Sequence, residues 1–379
     1  MARYATSDTF RRVEKKHCGF GSCLRLIVFQ AVVYSTPDPQ PALGINLLKR
    51  NDEVQSHTVF AYPEAKITEE SGGRLSENAI ILCCDENHWR FALRAATSLI
   101  ENVTCGKTDV VICYAGDKLP PAPNSKIRLC KLSVKWNNKE PQLNQLPIAT
   151  YYRLFLPSLF QAEYWRILYL DSDIKVGSGD FDKIMSVDLN DHPVGAIRDL
   201  TQWKRPNEFI QEFRDAGYDP LPYFNAGVLL IDTKKWIEKE IFQTCMSNLT
   251  KFQKFLYNND QSLLNLTLIG CWQELSPVWN WQISSHRWLF DPTVAPFITH
   301  FVGRKKPWDF DGEMWPRALR YYGLSISGQP ETFKAMDQAG YRLSTWRFFI
   351  LIMRHLASFH HLRRNIDQFQ SPYHTRNPR

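Results

Sequence analysis

The chain has 379 residues, of which 44% are hydrophobic and 22% charged, as in a folded protein of one large domain or two ordinary ones. No run reaches the roughly 18 apolar residues that a membrane span needs, so none is predicted. The formal net charge is +7, and residues 341–379 alone carry seven arginines and one aspartate. The rest of the chain is nearly neutral, which argues against a nucleic-acid partner bound by a broad basic face.

The first 76 residues differ from those that follow. They are polar and turn-rich, as in STPDPQPALG, and show no sustained periodicity. The apolar stretch CLRLIVFQAVVY (23–34) imitates part of a signal peptide, but Arg25 and Gln30 interrupt it and it lacks a clean cleavage site. We therefore expect residues 1–76 to form an N-terminal extension that is poorly ordered or loosely packed.

The nine cysteines show no short regular spacing. Cys83 and Cys84 lie in NAIILCCDEN, which is typical of a buried strand, and no C-x-x-C pair is present. We therefore expect reduced core thiols in a cytosolic protein, without a disulfide framework or a structural zinc site.

Strand-like and helix-like segments alternate from residue 77 onward. NAIILCC, DVVICYA, WRILYLD, HPVGAIRD and AGVLLID have the length of strands, whereas WRFALRAATSLIEN and TYYRLFLPSLF are typical of helices. This alternation predicts an α/β domain over residues 77–310 with a mostly parallel central sheet. Ligands of such sheets bind beyond the carboxyl ends of the strands, so Asp85 and Asp171, which end two strands, can face one crevice.

The C-terminal segment, residues 311–379, has a different pattern. YRLSTWRFFILIMRHLASFHHLRR predicts a basic amphipathic helix. One face carries apolar residues and the other basic ones, namely Phe348, Phe349, Ile352, Leu356 and Phe359 against Arg347, Arg354 and His361. A helix of this kind suits the surface of an anionic membrane, and the alternative is a helix packed on the domain.

An Asp-x-Asp triplet occurs three times, at 171/173, 180/182 and 309/311. Only the first follows a strongly apolar strand, RILYL. Two carboxylates at a strand end can hold a divalent ion that also binds phosphate oxygens. The alternative is a solvated turn, because such short motifs arise by chance.

Three later segments place polar residues where a ligand site could form. YFNAGVLLIDTKKW (223–236) has Asn225 before an apolar strand, and NNDQSLLN (258–265) has Asp260 and Gln261 at the start of a helix. THFVGRKKPW (299–308) gathers a histidine, a glycine and three basic residues. Each segment alone is also typical of a turn, a helix cap or a solvated basic loop.

In this order the segments ILCCDENHW, YLDSDIKV, FNAGVLLIDTKKW, DQSLLN and HFVGRKKPW resemble glycosyltransferase family 8. The resemblance is to the bacterial lipopolysaccharide galactosyl- and glucosyltransferases, and it runs from about residue 78 to 310. It implies a GT-A (Rossmann-like) nucleotide-diphospho-sugar transferase fold and a hexosyltransferase that retains anomeric configuration. It also implies a UDP-glucose or UDP-galactose donor and Mn²⁺ or Mg²⁺ as cofactor.

The resemblance assigns roles to residues that match the family pattern. Metal ligands would be Asp171, Asp173 and His300. Nucleotide-binding positions would be Cys83, Asp85, Asn87, Arg153, Ser172, Gly303 and Lys306. Donor-sugar positions would be Arg153, Asp199, Asn225, Ala226, Asp260 and Gln261. Glu86 departs from the family pattern, where a second aspartate is common, and we expect little effect.

The mechanism of retention depends on which side chain faces the anomeric carbon of the donor sugar. A double displacement needs a carboxylate nucleophile, and Gln261 is a poor one. We therefore expect front-face attack, with Gln261 stabilising the oxocarbenium-like state through its carbonyl dipole and Asp260 as the rival nucleophile.

The residue patterns also leave other functions and partners open. One alternative is a sugar nucleotidyltransferase, which usually has a glycine-rich basic loop near the first strand; CCDENHWRFA contains no such loop. Another is a non-catalytic carbohydrate-binding or scaffold protein, which would not need the metal ligands that this chain retains. Sequons at Asn102, Asn248 and Asn265 would suit a secreted Golgi relative, but we interpret them as accidental. The expected acceptor is a glycan or lipid-linked oligosaccharide, reached by a cytoplasmic enzyme peripheral to the inner face of the plasma membrane. The aromatic segment PVWNWQISSHRW (277–288) could form an acceptor surface or part of the core.

Overall fold

A computed structural model describes residues 62–102, 106–122, 124–136, 148–205, 207–283, 294–303 and 345–378. The strands of these residues are β1 (Glu64–Ser71), β2 (Asn78–Asp85), β3 (Asp109–Ala115), β4 (Ile127–Lys135), β5 (Arg166–Leu170), β6 (Ile174–Val176), β7 (Val194–Arg198), β8 (Phe224–Asp232), β9 (Trp272–Leu275), β10 (Trp281–Ile283), β11 (Ile298–Phe301) and β12 (Thr375–Arg376). The α-helices are α1 (Trp89–Asn102), α2 (Leu156–Phe160), α3 (Phe181–Met185), α4 (Leu200–Lys204), α5 (Gln211–Asp215), α6 (Thr233–Glu238), α7 (Ile241–Lys251), α8 (Asn259–Thr267) and α9 (Thr345–Asp367).

The main sheet has the strand order β1-β4-β3-β2-β5-β8-β7-β9-β12. Strands β4, β3, β2 and β5 are parallel to one another, and β8 runs antiparallel between β5 and β7. The parallel strands are apolar on both sides, because each face of the sheet is covered. The expected α/β fold with a mostly parallel central sheet is confirmed, with β1, β8 and β12 running opposite to the other strands.

Alternate residues of β2 enter two different cores. Ile80 and Leu82 face the core that contains α1, whereas Ile81 and Cys83 face the core that contains α2 and α8. The described cysteines are free, and all but Cys271 are buried. The sheet is therefore a middle layer whose carboxyl-terminal strand ends are open to a ligand.

The sheet begins before the expected boundary at residue 77. Strand β1 pairs antiparallel with β4 along the sheet edge, and Glu70 lies 2.8 Å from the guanidinium of Arg128. Its sequence, EAKITEES, is largely exposed and charged, which is how edge strands avoid pairing with other chains. These charges made the strand look like part of a polar extension, whose residues 1–61 lie outside the described part of the chain.

The C-terminal end returns to the domain. Strand β12 pairs with β9, the side chain of Asn365 donates to the carbonyl of Trp203 (2.6 Å), and Tyr373 packs against Trp279. The last part of the expected tail is therefore a piece of the main domain. Among the described residues, no helix combines the length and the apolar character that crossing a membrane requires.

Candidate active site

Three side chains, two from the connection between β5 and β6 and one from β11, converge at the carboxyl end of β5, and we call them the DxD–His cluster: Asp171, Asp173 and His300. Asp171 follows β5, Asp173 precedes β6, and His300 lies on β11, which pairs with β6. His300 Nε2 is 3.2 Å from Asp173 Oδ1 and 3.8 Å from Asp171 Oδ2. One donor atom from each residue lies within 4.8 Å of the others, a spacing that a single cation can bridge.

The surroundings of the cluster fit a divalent ion. His300 Nδ1 donates to Asn280 Oδ1 (3.0 Å), which turns the other ring nitrogen toward the aspartates. Gly227 of β8 passes so close that a Cβ at this position would lie 2.2 Å from His300 Cε1 and 2.8 Å from Asp171 Oδ2. The glycine therefore leaves room for the cluster, and carboxylate and imidazole donors suit Mn²⁺ or Mg²⁺.

Arg153 is buried behind the cluster and holds its first aspartate. Its guanidinium lies 2.8 Å from Asp171 Oδ1 and 3.1 Å from Asp260 Oδ2, and it also donates to the carbonyls of Thr150 and Ala226. Burial alone would lower the pKa of Arg153, but Asp171 and Asp260 raise it above its ordinary value. Arg153 therefore stays charged and fixes the orientation of both carboxylates.

A tyrosine completes this arrangement. The hydroxyl of Tyr169 donates to Asp171 Oδ1 at 2.7 Å, and the Arg153 guanidinium lies 4.4 Å from the centre of its ring. Burial raises the pKa of Tyr169 well above its ordinary value, and this outweighs the lowering by Arg153. Tyr169 therefore remains a neutral donor to Asp171.

Asp260 and Gln261 begin α8 and face different neighbours. Asp260 is 3% exposed, and burial raises its pKa to about 6, although Arg153 acts in the opposite direction. Gln261 Oε1 accepts from Asn225 Nδ2 (3.0 Å) and from the Ala226 amide (3.1 Å). Its Nε2 donates to Asp199 Oδ2 at 3.3 Å. The side-chain carbonyl of Gln261, which was expected to face the anomeric carbon, therefore accepts hydrogen bonds from two groups of β8.

Buried amides connect this glutamine to the cluster. Asn225 Oδ1 accepts from Asn280 Nδ2 at 2.9 Å, and Asn280 Oδ1 in turn accepts from His300. The chain of hydrogen bonds therefore runs from Gln261 through Asn225 and Asn280 to His300.

The expected nucleotide-binding residues occupy two neighbouring strand ends and a loop. Asp85 ends β2 and accepts from His88 Nδ1 (2.7 Å), Asn87 is exposed, and Cys83 is buried in the core. Ser172 lies between the cluster's aspartates. Gly303 follows β11 with φ +94°, a conformation that favours glycine, and Lys306 lies outside the described residues.

Some site features escaped the sequence interpretation. Asn280, Gly227 and His88 were missed, although an asparagine inside the aromatic run PVWNWQ is a signal for a buried polar role. Trp279 and Trp281 are at most 2% exposed, so of the two alternatives left open for this segment, residues 277–283 form part of the core. Residues 284–288 of that segment lie outside the described part.

Several known proteins are similar to this chain in sequence. General stress protein A of Bacillus subtilis (strain 168) is 27% identical over 259 residues, which cover 61% of this chain and 87% of that protein. Glycosyltransferase GlyE of Streptococcus pneumoniae serotype 4 is 30% identical over 195 residues, covering 48% of this chain and 42% of GlyE. Lipopolysaccharide 1,2-glucosyltransferase of Escherichia coli (strain K12) is 26% identical over 191 residues, covering 48% of this chain and 55% of that enzyme. The chain thus spans about half the length of these last two relatives.

Among solved structures, the crystal structure of galactosyltransferase LgtC with donor and acceptor sugar analogs superposes with a TM-score of 0.50. It is 23% identical, and the match covers 68% of this chain and 99% of LgtC, which supports the same fold. The sequence model of Glycosyl transferase family 8 matches residues 79–312, more than half of the chain. The chain therefore belongs to glycosyl transferase family 8 and has the GT-A fold.

Proposed function

We propose that the chain transfers glucose or galactose from a UDP-sugar to a saccharide acceptor, with retention of anomeric configuration and with Mn²⁺ or Mg²⁺ in the DxD–His cluster. One observation carries this proposal: Asp171 and Asp173 of the β5–β6 connection meet His300 of β11 at the carboxyl end of β5, in contact with Arg153 and linked by hydrogen-bonded amides to Gln261. Among the relatives, one is named a lipopolysaccharide 1,2-glucosyltransferase, which supports a lipopolysaccharide or other lipid-linked glycan as the acceptor.

The bound ion would supply positive charge against the diphosphate of the leaving UDP. Asp171, Asp173 and His300 would hold it, and Asn280 would keep the imidazole turned toward it. Gly303 and Lys306 would contact the same diphosphate, and Asp85, Asn87 and Ser172 would line the nucleotide side, behind which Cys83 is buried in the core. Arg153 would act by orienting Asp171, because its nitrogens already contact protein groups.

Front-face attack suits the two residues nearest the expected sugar. Asp260 pairs with Arg153 at 3.1 Å and has a 5% exposed side chain, so it is a poor nucleophile. Gln261 is held by Asn225, Ala226 and Asp199, which suits a residue that shapes the sugar pocket. The acceptor hydroxyl would then enter on the side from which UDP departs and lose its proton to the departing phosphate.

The test is UDP release from a panel of UDP-sugars, with Mn²⁺ or with EDTA. We expect metal-dependent turnover of one hexose donor, and NMR of the product should show the anomeric configuration of that donor. Asp173→Asn should abolish turnover, whereas Asp191→Asn, at an 87% exposed side chain paired with Lys239, should not. Metal-independent turnover, or a covalent sugar adduct on Asp260 in mass spectra, would contradict the metal role or the front-face step.

We also propose that α9 holds the enzyme on the inner face of the plasma membrane. Trp346, Phe349, Met353 and Leu356 are 48–69% exposed and follow one another at helical spacing. Exposed His361, Arg363 and Arg364 add basic character. Sedimentation with phosphatidylglycerol vesicles should exceed that with phosphatidylcholine vesicles, and the double change Phe349→Ser with Leu356→Ser should reduce it. Equal sedimentation with both vesicle types would contradict the proposal.

A further inference from the structure

A cavity of about 540 Å³ opens beside the expected donor-sugar residues. Asp199 and Gln261 line one part of it, and Glu212, Tyr223 and Asn258 line another. The volume is in the range of about 300–1,000 Å³ that small-ligand sites have. A saccharide acceptor bound here would lie next to the sugar that is transferred.

Glu212 is the unusual residue of this cavity. It lies on the short helix α5, is 3% exposed and directs one carboxylate oxygen at three donors. Oε1 accepts from the hydroxyl of Tyr223 (3.2 Å), from Asn258 Nδ2 (2.7 Å) and from Ser262 Oγ (2.8 Å). Within the described part of the chain, Oε2 accepts no hydrogen bond. Three neutral donors therefore fix the orientation of the buried Glu212 carboxylate. Its second oxygen, Oε2, can then accept a hydrogen bond from a ligand in the cavity that Glu212 lines.

The other charges around the cavity are mostly negative. Asp199 and Glu208 line it together with Glu212, and Arg205 is the cation among the described lining residues. Arg205 is largely exposed and lies 3.3 Å from Glu208, so part of its charge is already neutralised. A phosphorylated or acidic sugar would bring a further negative charge into this environment, whereas an uncharged sugar offers hydroxyl donors.

We propose that Glu212 is an acceptor-selecting residue: its Oε2 accepts a hydrogen bond from a hydroxyl of an uncharged acceptor sugar. This inference rests on the proposed function, because only a transferase needs an acceptor beside Gln261. The residue contributes to acceptor recognition and takes no part in breaking the bond to UDP. Its role can therefore be measured as the ratio of two reactions of the donor, namely transfer of its sugar to the acceptor and hydrolysis by water.

The experiment measures both fates of the donor in one sample. The probes are glucose, galactose, lactose and N-acetylglucosamine, compared with glucuronic acid and glucose 6-phosphate as charged analogues of glucose. Wild type is expected to glycosylate at least one uncharged sugar and to use both charged analogues at least about tenfold less well. In Glu212→Gln the ratio of transfer to hydrolysis should fall about tenfold, mainly through a higher KM for the acceptor. Glu238→Gln, at an exposed glutamate of α6, should keep the wild-type ratio.

The comparison of charged with uncharged sugars uses wild-type protein alone, so it stands even where a variant folds poorly. Equal use of glucose and glucose 6-phosphate would overturn the inference, as would an unchanged ratio in folded Glu212→Gln. Hydrolysis of the donor by wild type without transfer to any uncharged sugar would overturn it while leaving the proposed function intact. Absence of both hydrolysis and transfer would overturn the proposed function, and the inference with it.

Discussion

Replacing Arg153 by methionine tests whether the site depends on one buried cation. Methionine keeps an unbranched apolar side chain, so the losses are the charge and the hydrogen bonds of the guanidinium. Asp171 and Asp260 would lose ion pairs of 2.8 and 3.1 Å, and the Asp260 side chain is 5% exposed. Breaking a buried pair by removing one partner costs about 3–5 kcal/mol, and we expect Arg153→Met to lower the free energy of unfolding by that amount.

The assay is urea unfolding at pH 7.5 in the presence of EDTA, so that no metal takes over the charge of the arginine. Arg205→Met, at a 77% exposed side chain paired with Glu208, should change stability by less than about 0.5 kcal/mol. Adding Asp260→Asn to Arg153→Met should recover part of the loss, because one uncompensated carboxylate is then absent. A cost below about 1 kcal/mol for Arg153→Met, or no recovery in the double variant, would refute this reasoning.

Three further changes test other parts of the structure. Gly227→Ala should weaken Mn²⁺ binding, measured by calorimetry, at least about tenfold because its Cβ would collide with the cluster, whereas Gly73→Ala, with open space around it, should not. Burial raises the pKa of Asp260 to about 6, so between about pH 4 and 6 the folded state binds the extra proton and stability falls as pH rises. Asp260→Asn should therefore remove this fall, so that the change in the free energy of unfolding between pH 4 and pH 7.5 is about 2–3 kcal/mol smaller than in wild type, and an unchanged pH dependence would contradict this. Arg376→Ala, which removes a 2.9 Å ion pair to buried Glu274, should cost about 1–2 kcal/mol in urea unfolding, and a cost near zero would show that the C-terminal strand is not anchored there.

The sequence predicted those parts of the fold that local pattern controls. Continuous apolar runs such as NAIILCC became buried strands, and the periodic segment WRFALRAATSLIEN became α1 over its whole length. Strand β1 escaped prediction because its pairing with β4 lies at an exposed edge, where the residues are charged. Strand β12 escaped because two residues carry no pattern, and the pairing with β9 depends on the position of the whole C-terminus.

In the site, too, local motifs could be predicted from the sequence, whereas contacts that depend on long-range packing could not. Asp171 and Asp173 stand in one short motif, so their partnership could be predicted from residue types alone. The participation of Asn280 could not, because it depends on the pairing of β10 with β11 and on a hydrogen bond across 20 residues of sequence. The hydrogen bonds accepted by Gln261 Oε1 and by Glu212 Oε1 could not be predicted either, because they depend on how distant parts of the chain pack together.

The most direct test of the central claim is the binding of Mn²⁺, followed by the electron paramagnetic resonance signal of the free ion in the presence of UDP. The account predicts one ion per wild-type chain, and predicts that Asp173→Asn loses both this ion and UDP release from the donor. An Asp173→Asn protein that binds Mn²⁺ as wild type does, or a wild type that keeps full turnover after removal of all metal, would contradict the assignment of the DxD–His cluster as a catalytic metal site.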